Sequence, residues 1–160
     1  HHEGILRLTI APAQNIPKSL QKKAEEYMHS LINEMDHVGV MTLELFDSSD
    51  ELIVNEIAPR VHNSGHWTIE GAQTSQFENH IRAITNSPLG ATSIKSSFNA
   101  MINIIGMHGQ TSKVLETKNA HLHLYDKEER KGRKLGHITL TSNSMEELNK
   151  SIDSLKEYLP

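Results

Sequence analysis

MTLELFDSSDELIVNEIAPRVHNSGHW, residues 41–67, is the stretch whose reading decides the fold. Val38 to Asp47 reads as one strand and Glu51 to Pro59 as its return, with Ser48-Ser49-Asp50 as the turn between them. If the turn centres on Asp50, Glu44 lies opposite Glu56, Phe46 opposite Val54 and Leu43 opposite Ile57. Side chains alternate faces along a strand, so Glu44 and Glu56 point the same way. Directly opposed like charges destabilise a sheet. A divalent cation reverses that sign, and an all-oxygen carboxylate pair suits Mg²⁺ shared with phosphate oxygens and water. Solvated surface glutamates are the plainer alternative for such a pair. Pro59-Arg60 follows, and then a polar loop, Val61 to Thr68, carries His62, Asn63, Ser64 and His66. An arginine four residues past a metal-binding carboxylate can reach an anion held by the same metal, since its planar fork matches carboxylate, bicarbonate or phosphate oxygens.

Upstream of the hairpin, Ile5 to Ala13 reads as a strand with no evident partner. A helix opens near Pro17, a residue tolerated in a first turn, and carries an apolar stripe of Leu20, Ala24, Tyr27, Met28, Leu31, Ile32 and Met35. Downstream, Ser75-Gln76-Phe77-Glu78 is a capping box, and Phe77, Ile81 and Ile84 predict the buried face of the helix it opens. Ser87 to Gly90 ends that helix in a turn. The pattern then changes to short strands at Ala100 to Ile105, Ala120 to Tyr125 and Leu135 to Thr141, with a basic turn from Lys127 to Lys134 before the last. A second capping box, Ser144 to Glu147, opens a helix with Leu148, Ile152 and Leu155 facing inward. The fold class expected is α+β. Two domains are expected, 1–90 and 91–160, with the boundary near Gly90 to Ser97.

Composition narrows the function. The net charge of −4 offers no basic excess for nucleic acid. The absence of cysteine excludes disulfides and thiolate metal sites. No apolar run approaches the roughly 20 residues that cross a bilayer, and His1-His2-Glu3-Gly4 is not a secretory signal. A soluble, cytoplasmic protein acting on small molecules is expected. Eleven histidines are an excess that needs its own account.

The string NEIAPRVHNSGHWTIEGAQTSQFENHIRAI resembles the 5-(carboxyamino)imidazole ribonucleotide synthetases, the ATPase subunit of phosphoribosylaminoimidazole carboxylase, within the ATP-grasp superfamily. The segments His1 to Arg7, Met101 to Gly106, His121 to Tyr125 and Lys127 to His137 resemble the same family, so the likeness runs through nearly the whole chain. It implies the C-terminal half of an ATP-grasp domain over 1–90 and a small strand-rich domain over 91–160. It implies ATP-dependent carboxylation of aminoimidazole ribonucleotide with bicarbonate in purine biosynthesis, through carboxyphosphate, by a carbon–nitrogen ligase that is a homodimer at full length. By the same resemblance, Glu44 and Glu56 hold Mg²⁺, or Mn²⁺ in its place, against ATP. His1, Asn55 and Glu56 sit at the nucleotide, and Arg60 is the catalytic residue that steadies bicarbonate and carboxyphosphate. His62, Asn63 and Ser64 line the anion or ribonucleotide pocket. Lys127, Arg133 and Lys134 suit the ribonucleotide 5′-phosphate. The family's chain is more than twice this length, so these residues alone are expected not to turn over.

One departure stands out. Many ATP-grasp enzymes carry asparagine two residues after the second glutamate, where this chain has Ala58 and instead has Asn55 before Glu56. That favours the purine branch over the biotin-carboxylase branch. Two readings of other classes remain: a zinc or nickel site built on His121 and His123 with His62, His66, His80 or His137, and a non-catalytic dimerisation module.

Overall fold

The computed structural model describes residues 1–48 and 51–160. Its elements run in the order β1 (Leu8–Ala11), α1 (Lys18–Glu34), β2 (Thr42–Ser48), β3 (Glu51–Ala58), α2 (Thr68–Gly71), α3 (Gln76–Ile84), β4 (Phe98–Ile105), α4 (Thr111–Glu116), β5 (Ala120–Leu124), β6 (Lys134–Ser142) and α5 (Met145–Ser154). They form two antiparallel sheets, a β2–β3 hairpin and a four-stranded sheet in the order β1-β4-β6-β5. The Ser49-Asp50 part of the expected turn lies outside the described residues.

The solitary first strand finds its partner far along the chain. Leu8 faces Ile102 and Ala11 faces Asn99, so β1 is an edge of the larger sheet, beside β4. One face of that sheet is a hydrocarbon layer. Ala100, Ile102, Ile104, Ile138 and Leu140 pack there against Val114 of α4 and Leu148, Ile152 and Leu155 of α5 and its end. The capping box before α5 forms as its sequence dictates, with the Ser144 hydroxyl accepting from Glu147 N at 3.4 Å. The other face of the sheet is buried but polar: Asn99, Asn103 and Thr139 are fully buried and His137 is 2% exposed. The segment carrying Trp67 and α2 covers part of it, with Gly71 so close to the Asn99 amide that a Cβ there would collide.

The first strand of the hairpin begins at Thr42 rather than near Val38. Gly39, with φ of +120°, turns the chain against His80 and Ile84, and Val40 N donates to His80 Nδ1 at 3.1 Å. That backbone group serves a side chain instead of a ladder. The stripe of α1 meets the hairpin: Tyr27 and Leu31 border one hollow with Leu43, Leu52, Val54 and Ile57.

Of the predicted inner face of α3, Phe77 is part-buried and packs on the His66 ring at 5.1 Å between centroids, but the rest is not inside. Ile81 and Ile84 are 56% and 52% exposed. The cap itself forms, since Ser75 Oγ accepts from Glu78 N at 3.2 Å. What turns inward is polar. Asn79 is buried, donating to Gly90 O at 3.2 Å and accepting from Gly90 N at 2.8 Å. Gln76 bonds the loop at His62. The helix is oriented by the loops it holds, and its apolar edge is left outward.

Candidate active site

In the hairpin, Leu43 faces Ile57 and Glu44 faces Glu56, as the register about Asp50 predicts. Beyond Glu44 the register slips by one, so Leu45 faces Val54 and Phe46 faces Ile53, not Val54. Asn55 is the extra residue of a β-bulge, which turns its side chain beside its neighbour's. Its Nδ2 donates to Glu44 Oε2 at 3.1 Å. The other oxygen, Oε1, lies 3.6 Å from His62 Nε2. Both oxygens of Glu44 therefore have a protein neighbour, while Glu56, its partner across the ladder, is exposed. Two facing carboxylates, with only oxygen donors, fit a hard divalent cation that keeps several water or phosphate ligands.

The chain leaves β3 in a tight turn, Arg60 N donating to Ala58 O at 2.8 Å, and Arg60 Nη1 donates to Val61 O at 2.9 Å. Arg60 is exposed. The loop that follows is fixed by one amide. Gln76 Oε1 accepts from His62 N at 3.0 Å, and its Nε2 donates to His62 O at 2.7 Å and to His66 Nδ1 at 2.9 Å. His62 is 9% exposed, and its Nδ1 lies 2.9 Å from Ser64 Oγ. Asn63 is half-buried with its Oδ1 unpaired among the described residues.

The basic turn comes to the same place from the other sheet. Burial first, then the charges of Lys127 and Arg60, push the Lys134 ammonium down to about 8. Lys134 is also among the charges that hold two histidines neutral. Burial, then Lys134, His62 and His123, push His66 down to about 4. Burial, then His123, His66 and Lys134, push His137 down to about 3. Lys127 Nζ sits 5.4 Å from the centre of the Tyr125 ring. Arg133 is half-buried beside Lys134. His1 is exposed, and among the described residues no hydrogen bond or ion pair joins it to the others.

Behind these cations lies a layer whose histidines the sequence offered only as candidate zinc or nickel ligands. His123 and His137 stack at 4.3 Å between centroids, 8° from parallel. His123 Nε2 lies 2.7 Å from Glu70 Oε1, and His137 Nδ1 lies 2.7 Å from the Tyr125 hydroxyl. Burial pushes that hydroxyl up to about 12, so it keeps its proton. The alternating His121-x-His123 pattern placed an imidazole on this face, but Glu70, Tyr125 and Gln76 carried no local signal. Among the described residues no three histidine or carboxylate side chains converge to hold a metal ion. The transition-metal reading fails here because His123 is already paired with Glu70 and stacked, while His121 is exposed.

The ATP-grasp domain family matches residues 1–77, and the phosphoribosylaminoimidazole carboxylase C-terminal domain family matches residues 99–151. The N5-carboxyaminoimidazole ribonucleotide synthase of Escherichia coli K12 is 44% identical over 161 residues, covering 100% of this chain and 44% of its own length. The chain belongs to the N5-carboxyaminoimidazole ribonucleotide synthase family. The Pseudomonas aeruginosa synthase is 48% identical over 140 residues, covering 88% of this chain and 38% of its own length. The crystal structure of the Thermus thermophilus synthetase superposes with a TM-score of 0.95 at 50% identity, over 99% of this chain and 44% of that one. The Aspergillus clavatus synthase, solved with ADP and 5-aminoimidazole ribonucleotide, superposes with a TM-score of 0.90 at 36% identity, over 99% and 45%. The chain thus spans less than half the length of these synthases.

Proposed function

We propose that this chain supplies the metal end and the anion pocket of an enzyme that carboxylates aminoimidazole ribonucleotide with ATP and bicarbonate. The observation that carries the reading is that Lys134, at the start of β6, lies within electrostatic reach of Arg60, from the loop after the hairpin, and of Lys127, from the basic turn. Among the described residues no carboxylate pairs with any of the three. A cluster of cations without a counter-charge suits an anionic ligand. Residues 1–90 act as the ATP-grasp part and 91–160 as the small domain, with β1 lent across that boundary to the larger sheet.

Glu44 and Glu56 hold Mg²⁺ in this reading, and Mn²⁺ can replace it. The bound ion neutralises phosphate charge as phosphoryl transfer proceeds. Asn55 and His62 steady the Glu44 carboxylate, and His1 with Asn55 borders the nucleotide. Bicarbonate oxygen attacks the γ-phosphorus, ADP leaves, and Arg60 holds the carboxyphosphate that results. The substrate amine then attacks the carboxyl carbon and phosphate departs. Fixed dipoles and cations serve this step better than water, because they need no reorganisation and spare a labile intermediate from hydrolysis. His62, Asn63 and Ser64 line that pocket. Lys127, Arg133 and Lys134 hold the ribonucleotide 5′-phosphate. The enzyme is cytoplasmic and, at full length, a homodimer; the outward apolar edge of α3, Ile81 and Ile84, is surface available for such an interface.

The test is ADP release dependent on aminoimidazole ribonucleotide by the protein at the full length of its relatives. Glu56→Gln is expected to lower kcat by about 100-fold or more, the scale of losing one charge-stabilising group. An unchanged rate contradicts the metal assignment. The 160 residues alone are expected to show no such turnover, and ribonucleotide-dependent ATP hydrolysis by them would contradict that.

A further inference from the structure

Lys134 reaches the Arg60 pocket through an irregularity of β6. Ile104 faces Gly136 while Ile105 faces Lys134, which leaves Leu135 as an extra residue. In an unbroken strand Leu135 would share the face of His137, and Lys134 would share the core face of Ile138. The reverse is found. Leu135 is fully buried in the core cluster with Ile138. Lys134 lies on the face of His137 and His66, close enough to perturb both. A bulge re-aims a side chain in this way. This one is pinned from β5: Tyr125 N donates to Leu135 O at 2.9 Å, and a Cβ on Gly136 would collide with the His123 carbonyl.

Tyr125 touches each part of the arrangement. Its backbone holds the bulge, its hydroxyl meets His137 Nδ1 at 2.7 Å, and its ring carries Lys127 at 5.4 Å. We propose that the Leu135–Gly136 bulge and the Tyr125–His137 hydrogen bond form the device that aims Lys134 into the anion pocket, with Tyr125 as a positioning residue. This rests on the anion-site reading above. The charged and titratable groups facing Lys134 are Arg60 and His66 from the loop after β3, Lys127 from the basic turn, and His137 on its own strand. Two cations and the two imidazoles held neutral, His66 and His137, face it, so its charge is directed at a ligand and not spent on a protein carboxylate.

The experiment uses the full-length protein and measures the KM for aminoimidazole ribonucleotide and the alkaline limb of the pH–rate profile. Lys134 carries its charge below about 8 and loses it above, so that limb reports its ammonium. Tyr125→Phe removes one hydroxyl and keeps the ring. It is expected to raise KM about tenfold, the equivalent of roughly 1.4 kcal/mol, with a smaller effect on kcat. It is also expected to move the limb upward, as a loosened Lys134 regains water. A purely structural hydroxyl would lower thermal stability and leave the limb in place. His137→Phe removes the same hydrogen bond and keeps a ring, and gives the same readout should Tyr125→Phe fail to fold. Wild-type KM and limb in a folded Tyr125→Phe or His137→Phe overturn the positioning role. Lys134→Met separates the two levels: if it leaves KM and limb unchanged, the anion-site reading itself falls.

Discussion

The two sheets of this chain meet water differently. In the four-stranded sheet, Met101, Ile102, Ile104 and Ile138 are fully buried, and even the polar face holds His137 at 2% exposure. In the hairpin, Phe46, Ile53 and Val54 are 50% to 57% exposed, and open hollows separate Leu43, Leu45, Leu52, Val54 and Ile57 from α1. One region is a closed core, and the other is a platform that α1 covers loosely on one face and that leaves Phe46 and Ile53 outward on the other. The functional groups follow the same division. Glu44 and Glu56 sit on the open platform, where a cation and its ligands have room. Lys134, His66 and His137 sit against the closed core, where burial disfavours the charged form and strengthens the interactions of any charge that remains.

That contrast is easiest to break by truncation. Ile102→Ala or Leu148→Ala is expected to cost about 2–5 kcal/mol, transfer plus cavity. Phe46→Ala or Val54→Ala is expected to stay within about 0.5 kcal/mol, as for surface positions. Urea unfolding followed by the fluorescence of Trp67, the single tryptophan, measures both. Equal costs would remove the distinction.

A pH titration sharpens it further. His66 and His137 are lowered from 6.5 to about 4 and about 3, so the folded state favours the neutral rings. The unfolded chain binds more protons below its own value, and stability therefore rises with pH in that range. The contribution is fully present above about 6.5 and is lost progressively as the pH falls towards 4 and 3. His137→Asn is expected to flatten that slope, measured as thermal midpoint against pH. A slope unchanged in the variant would mean the ring is not held neutral.

The smallest effect belongs to the connection between the two regions. Ser75→Ala removes the cap of α3 and is expected to cost about 1 kcal/mol. Because α3 carries Gln76, which fixes His62 and His66, the same change should loosen amide-exchange protection at His62 N. Protection unaltered there would show that the loop holds itself.

Much of this was legible in the sequence. The alternation of the hairpin placed Glu44 opposite Glu56, and the two capping boxes marked the starts of α3 and α5. What escaped has physical reasons. A bulge has no periodicity of its own, so the slip at Asn55 moved Phe46 onto Ile53, and the slip at Leu135 exchanged the faces of Lys134 and its neighbour. Gly136 was the one sign that a backbone came close there. Ile81 and Ile84 read as core because apolar spacing was taken for burial, while Asn79 and Gln76 turned α3 by bonding loops. The pairing of Leu8 with Ile102 leaves no local trace, since nothing near β1 specifies so distant a partner. The Glu70–His123 contact is non-local in the same way.

The central claim is that the open platform and the closed core contribute to one anion site. A double-mutant cycle tests it most directly, with Arg60→Met, Lys134→Met and the pair in the full-length protein, read as affinity for aminoimidazole ribonucleotide in the presence of ATP and bicarbonate. Residues sharing one ligand couple by about 0.5–3 kcal/mol, and a coupling in that range is predicted. Losses that simply add would place Arg60 and Lys134 at separate sites and contradict the account.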